Sequence, residues 1–254
     1  MNRLKIATGY SRFFCIIIVV GALVAGAALL SVDAASTLAT QEEQEEGVQA
    51  DELDPYSADG KYGFKDKAGN VVIEAKFDDA MGRFSEGLCA VKLGKKWGYA
   101  NRSGDIAIDP SFDLAVNFSE GLAMVRTAGS YGFIDKTGKF AIEPRFSGAL
   151  SFKNGLAPAA IKKEIGIRWG HIDKTGKWVI APLFRKTGRF SEGLAVVNLG
   201  HFGYIDRKGN VVIPAKYDSA RPFKNGIASV HMGNEVGVID KQGRVVKPFR
   251  PIDF

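Results

Sequence analysis

The chain has 254 residues, of which 46% are hydrophobic and 24% charged, an ordinary globular balance with a formal net charge of +6. Its two cysteines, Cys15 and Cys89, exclude a disulfide framework, because Cys15 lies in an apolar N-terminal stretch and Cys89 stands alone in the rest of the chain. The charge is unevenly spread: residues 60–254 hold 31 of the 34 basic and 19 of the 28 acidic residues, which puts +12 on that part alone.

Residues 1–12 carry Arg3, Lys5 and Arg12 and no acid, and Phe13 to Leu30 follow without a charge, a proline or a strongly polar side chain. A basic flank before an apolar run of this length predicts a hydrophobic helix, either an export signal or a membrane anchor spanning residues 13–30. Residues 1–34 are assigned to it, with the positive flank in the cytoplasm and the remainder exported, periplasmic or extracellular. Residues 35–59 read as an acidic flexible linker. Glu42, Glu43, Glu45, Glu46, Asp51, Glu52, Asp54 and Asp59 occur there with no base and few apolar residues.

From residue 60 to 254 one pattern repeats. An aromatic-glycine pair recurs as Tyr62-Gly63, Trp97-Gly98, Tyr131-Gly132, Trp169-Gly170 and Phe202-Gly203, with Val236-Gly237 as a degenerate sixth copy. A second landmark keeps step with it, at Phe84 to Gly87, Phe118 to Gly121, Phe152 to Gly155, Phe190 to Gly193 and Phe223 to Gly226. Two landmarks in phase over so long a stretch mark a tandem array. Units such as Lys96-Trp97-Gly98-Tyr99 and Trp169-Gly170-His171-Ile172 resemble the WG-repeat (KWG) family of bacterial proteins. That resemblance implies an exported or envelope-associated repeat module with no shared catalytic residue.

Within one unit, a short strand such as Tyr131 to Asp135 leads into Asp135-Lys136-Thr137-Gly138, the chemistry of a type I turn closed by a glycine at positive φ. An apolar return strand follows, stopped by Pro110, Pro144, Pro182 or Pro214. A third strand begins after the second glycine. The fold expected is therefore all-β: a tandem array of about 34-residue three-stranded antiparallel β-meanders. The strands are apolar on both faces, so neighbouring sheets should pack on one another. An open twisted array is favoured over a propeller-like ring, because the units are short and the last lacks its third strand. The glycine beside each aromatic is expected to leave room for a ring from a neighbouring unit.

Register then sorts the chemistry. Cys89 shares its slot with Ala123, Ala157, Ala195 and Ala228, so it reads as a small buried residue. His171 takes an aromatic slot, His201 an exposed link and His231 a polar one, which is no metal site. Asp66, Asp135, Asp173, Asp206 and Asp240 are explained by their turns, and no acid pair, nucleophile elbow or phosphate loop is present. No catalytic residue, metal or cofactor is expected. The residue after each turn acid (or Asn101) is basic in every copy: Lys67, Arg102, Lys136, Lys174, Arg207 and Lys241. Stacked, these tips would form a positive ridge suited to an anionic polymer or lipid head group.

The expected function is a non-catalytic module binding a protein or an anionic envelope component. An envelope polysaccharide enzyme, with Glu164 as its one unusual acid, and a self-associating structural protein are the alternatives. Nucleic acid suits the charge but is disfavoured by export. Residues 162–166, an insertion in the third copy, are a further candidate contact.

Overall fold

The computed structural model describes residues 52–251. The expected apolar helix over residues 13–30 and the linker up to residue 51 lie outside the described residues. Every regular element among those described is a β-strand, and the strands form six antiparallel sheets.

The first sheet has three strands, Asp54–Ala58, Lys61–Lys65 and Val71–Phe77. The second has four in sequential order: Asp79–Ala80, Leu88–Leu93, Lys96–Asn101 and Ile106–Phe112. The third to sixth repeat that order, opening with the two-residue strands Leu114–Ala115, Gly148–Ala149, Lys186–Thr187 and Ser219–Ala220. This short opening strand adds a fourth member to the expected three-stranded meander. It pairs with the next long strand, as in Asp79↔Lys92 and Ala80↔Val91.

Sheets and sequence units are out of phase. Each sheet from the second on takes its second strand from one unit and its last two from the unit that follows. The final partial unit therefore completes the sixth sheet rather than standing short. At the other end, the first sheet needs a strand that no earlier unit supplies, and Asp54–Ala58 supplies it. The acidic linker thus ends sooner than its composition suggests. Leu53 is buried in the first core, and Glu52 and Asp54 both pair with Arg83.

The return strands run straight through their prolines instead of stopping there. Trp97 pairs with Phe112 and Tyr99 with Ile108, so Asp109, Pro110 and Ser111 bulge opposite Gly98 alone. Proline is tolerated because this is the sheet edge and the bulge releases its ladder bond. The bulge also explains the glycine. A Cβ on Gly132 would lie 2.7 Å from the Ile142 carbonyl oxygen and 2.8 Å from the Pro144 nitrogen. The space beside each aromatic is filled by the backbone of the same sheet's edge strand, not by a neighbour's ring. In the degenerate copy, at Gly237, the Phe249 ring of the same sheet takes that place.

Five apolar cores lie between the six sheets, each joining one sheet to the next. One ring pair recurs in every core: Phe64–Phe84, Tyr99–Phe118, Phe133–Phe152, His171–Phe190 and Tyr204–Phe223, with centroids 4.7–4.9 Å apart. Turn glycines complete the contact. Gly138, at φ 84°, leaves a built Cβ only 3.0 Å from Cγ2 of Ile108 in the preceding sheet. A side chain there would meet both a steric wall and an unfavourable backbone.

The end sheets differ from the inner ones. Asp54, Tyr56 and Lys65 occupy the slots that hold Cys89, Val91 and Ala100 in the second sheet, and the Lys65 ammonium lies 4.5 Å from the Tyr56 ring centroid. In the sixth sheet Lys247 and Arg250 stand opposite Val238 and Val236, the places that Ile213 and Tyr217 take in the fifth, and both are exposed. Polar outer faces at both ends are what an open stack requires of its terminal repeats.

Candidate functional site

The six turns form as the residue types dictate. In the third sheet Asp135 Oδ1 accepts the Thr137 N–H at 2.8 Å and the Thr137 hydroxyl at 2.6 Å, while the Gly138 N–H donates to the Asp135 carbonyl at 3.0 Å. These bonds, the Thr137 hydroxyl first, hold the Asp135 carboxyl below the usual carboxylate range. The turn acids thus accept from local backbone and side-chain donors.

The basic residue beside each turn acid follows its neighbour along the stack, as the register implies, but it is already engaged. Lys136, Lys174 and Lys241 form ion pairs with Glu86, Glu120 and Glu192 at 3.2, 3.5 and 3.3 Å. Lys67 pairs with Glu52 at 3.0 Å. Arg207 donates to the Asn154 carbonyl at 2.7 Å and covers the Phe190 ring, and Arg102 covers Phe84 in the same way. The tips therefore brace successive units, a role that the turn chemistry alone did not reveal.

Their partners sit in the second landmark. Ser85-Glu86-Gly87-Leu88 closes as a two-residue hairpin with Glu86 at φ 54° and Gly87 at φ 87°. That geometry favours Asn-Gly, and Asn154 and Asn225 occupy the equivalent position with φ 54°. Glu86, Glu120 and Glu192 accept it because each carboxylate reaches the next loop, where it takes the N–H of Gly121, Gly155 or Gly226. The Gly226 N–H is the chief reason the Glu192 carboxyl is held below its ordinary range. Beside them, the hydroxyls of Ser85, Ser119 and Ser191 donate to the carbonyls of Phe118, Phe152 and Phe223 at 2.7–2.8 Å. The result is a polar ladder from loop to loop.

The ladder breaks once between loops. At the junction of the third and fourth loops, Lys153 stands in the serine slot and Asn154 in the glutamate slot. Arg189 Nε reaches back to the Ser151 carbonyl at 3.1 Å, and Arg207 bonds the Asn154 carbonyl. In the sequence this slot alternates between Glu and Asn, and no local pattern connects it with the turn cations.

The other singled-out residues are placed by the same register. His171 is wholly buried, and its Nε2 lies 3.0 Å from the Gly188 carbonyl. Tyr99 and Tyr204 donate their hydroxyls to the carbonyls of Val116 and Arg221, the same slot one unit away. Because a carbonyl only accepts, Nε2 carries the hydrogen, and Nδ1 is left buried without a partner. Burial pushes the imidazole down to about 4. His201 faces Asp218 at 3.6 Å, where Lys61 and Lys96 pair with Asp78 and Asp113. The insertion lengthens one hairpin, with strands Ala157–Lys163 and Gly166–Ile172 and Ile165 at its tip 72% exposed. Among the described residues, no group of three or more His, Cys, Asp or Glu side chains is placed to hold a metal ion.

Cys89 is fully buried, and burial raises its thiol to about 12. Thiolate is the reactive form, so iodoacetamide at pH 8 should leave Cys89 unmodified in the folded protein and modify it after denaturation. Mass mapping of the alkylated peptide reads the difference, and rapid native labelling would show that the strand opens.

A family model described as WG containing repeat matches the chain five times, over residues 62–97, 97–129, 131–163, 169–200 and 202–235. No curated protein matches the sequence. Among solved structures, that of a eukaryotic initiation factor is similar at 10% identity and a TM-score of 0.54, over 78% of this chain and 63% of that one. The chain thus spans less than two thirds of that protein. Kluyveromyces lactis Hsv2 is similar at 10% identity and a TM-score of 0.48, over 74% of this chain and 70% of that one. The dihydro-heme d1 dehydrogenase NirN in complex with DHE gives 13% and 0.47, over 81% of this chain and 54% of its own. The first likeness is one of fold alone, and the other two carry no argument.

Proposed function

This chain belongs to the WG containing repeat family, and we propose that it is an exported, non-catalytic interaction module that engages an anionic partner in the cell envelope. The observation that carries the reading is how the charged side chains are used. The turn acids serve their own turns, and the loop acids bind the next loop, so the acids characteristic of the repeat are spent on holding the stack together. The net charge left on residues 60–254 is +12, displayed on a stack whose units each expose a loop, a turn and an edge strand. The basic N-terminal flank and apolar residues 13–30 support export, with the repeats on the outer side of the cytoplasmic membrane.

The full chain, bound to a heparin matrix at low salt, tests the charge. Changing Lys67, Lys136, Lys174 and Lys241 together to glutamine should lower the eluting salt concentration if the ridge contributes. Unchanged elution would remove the ridge from the site, and failure of the native chain to bind would overturn an anionic polymer as the partner. Protease accessibility of the repeats in intact cells tests the export.

A further inference from the structure

We propose that the junction between the third and fourth landmark loops is a binding site for an oxyanion, a phosphate or carboxylate group carried on a partly apolar body. This is the one junction between loops where the repeat omits its own acid. Along the stack each turn cation meets the loop two landmarks back: Lys136 meets Glu86, Lys174 meets Glu120 and Lys241 meets Glu192. Arg207 follows the same rule, and its main-chain bond to Asn154 repeats the one from Lys174 to the Glu120 carbonyl, both at 2.7 Å. Its carboxylate is missing, because that position is Asn154.

Two further cations gather at this junction. Lys153 replaces the serine of the other braced loops, and its ammonium has no ion-pair partner among the described residues. Arg189 spends only Nε on the Ser151 carbonyl, which leaves both terminal nitrogens without a hydrogen-bond partner among the described residues. A guanidinium held by Nε presents its other edge as a two-pronged donor suited to phosphate or carboxylate.

Of these cations, Lys153 and Arg189 border an open groove of about 520 Å³. Lys153, Arg189 and Ser151 lie toward one end of the chain segment that forms it, and Met81, Val116 and Phe118 come from the two preceding loops. Lys153 and Arg189 supply the charge of the lining, and Met81, Val116, Phe118 and Phe152 its apolar part. A ligand with an anionic head and an apolar body matches both, whereas an anion alone uses only the first. The nearest loop acid, Glu120, is committed to the Gly155 N–H and Lys174. The site shares Arg207 with the ridge of turn tips but rests on Lys153 and Arg189 as well, none of which the glutamine variant changes, so unchanged heparin elution of that variant leaves it standing.

The test uses the full chain, titrated calorimetrically at pH 7 and fixed ionic strength with inorganic phosphate, phenyl phosphate and phenylacetate. Phenyl phosphate should bind about tenfold more tightly than inorganic phosphate, since its ring removes apolar surface from water in the groove. Asn154→Glu restores the carboxylate that other units tolerate at the same backbone geometry, so it should fold normally while weakening binding about tenfold. Lys153→Ser, which restores the usual loop residue, should weaken it similarly. Binding of phenylacetate with the same sensitivity to Asn154→Glu would assign a carboxylate as the head group at the same site. The proposal is overturned if phenyl phosphate and inorganic phosphate bind equally, if neither aromatic probe binds at about 10 mM, or if Asn154→Glu binds as the native chain does.

Discussion

Replacing Gly132 by alanine is expected to leave the protein largely unfolded at room temperature. The added methyl would lie 2.7–3.0 Å from three backbone atoms of the bulged edge strand, Ile142 O, Pro144 N and Pro144 Cα. None of these is the flexible end of a side chain, so the strand itself would have to move. Overpacking of this kind costs about 1–3 kcal/mol when side chains yield, and more when backbone must. The bulge places Phe146 in the core, so its displacement would carry that ring with it. Gly94→Ala is the control. That glycine, unlike Gly132, has a positive φ, 61°, and nothing lies within 4 Å of its built Cβ. Its replacement should cost about 1 kcal/mol from backbone strain alone. Urea denaturation of the two variants, followed by circular dichroism, compares them directly. Equal midpoints would show that the bulge is not what demands the glycine.

His171 should make the stability of the array depend on pH in a window that no tyrosine would create. In the folded protein burial lowers its pKa to about 4, against an unfolded value near 6.5. Between those values the unfolded chain binds a proton that the folded chain refuses, so stability rises with pH there. The contribution is fully present above pH 6.5, is lost as pH falls from 6.5 toward 4, and flattens below 4 when the folded imidazole is protonated too. A separation of this size corresponds to about 3 kcal/mol at most. The clean comparison is a double change. Thr187 takes the slot that holds Ala80, Ala115, Ala149 and Ala220 elsewhere, and its hydroxyl lies 3.5 Å from His171 Nε2. The larger residue fills space that a tyrosine ring would need. His171→Tyr with Thr187→Ala restores the arrangement around Tyr99 and Tyr204. Unfolding free energies at pH 7 and pH 4.5 should differ less for the double variant than for the native protein. Parallel pH profiles would show that His171 is not the group responsible.

These two residues also mark how far the sequence could be read. His171 is legible because four other copies carry Phe or Tyr in its slot, and an aromatic position implies burial whatever the side chain. Cys89 was legible for the same reason, beside four alanines. Gly132 was legible as important but not for its cause. A glycine next to an aromatic reads equally as space for a ring or for a backbone, and only the bulge at Pro144 decides between them. In the sequence Pro144 reads as a strand stop, since nothing local shows that the strand continues along an edge where the missing N–H is not needed.

The candidate site shows the same division. Six cations after five turn aspartates and Asn101 can be counted along the chain, and so can the alternation of Glu and Asn in the second landmark. What could not be read was that the two series meet. Lys136 and Glu86 are 50 residues apart, a separation at which no local rule operates.

By itself, then, the sequence determined whatever repeats at short range: the turns with their Asp and Gly, the apolar strands, the period of about 34 residues and the all-β class. These follow from backbone preferences and side-chain period, which act within a few residues. Only the tertiary structure decided how the units join. It set the phase between sheet and repeat, recruited Asp54–Ala58 as a strand, placed a carboxylate on the following loop, and left one junction with cations and no acid. Each of those outcomes depends on which surfaces meet once the sheets stack, and that is fixed by packing between units rather than by the residues of any one of them.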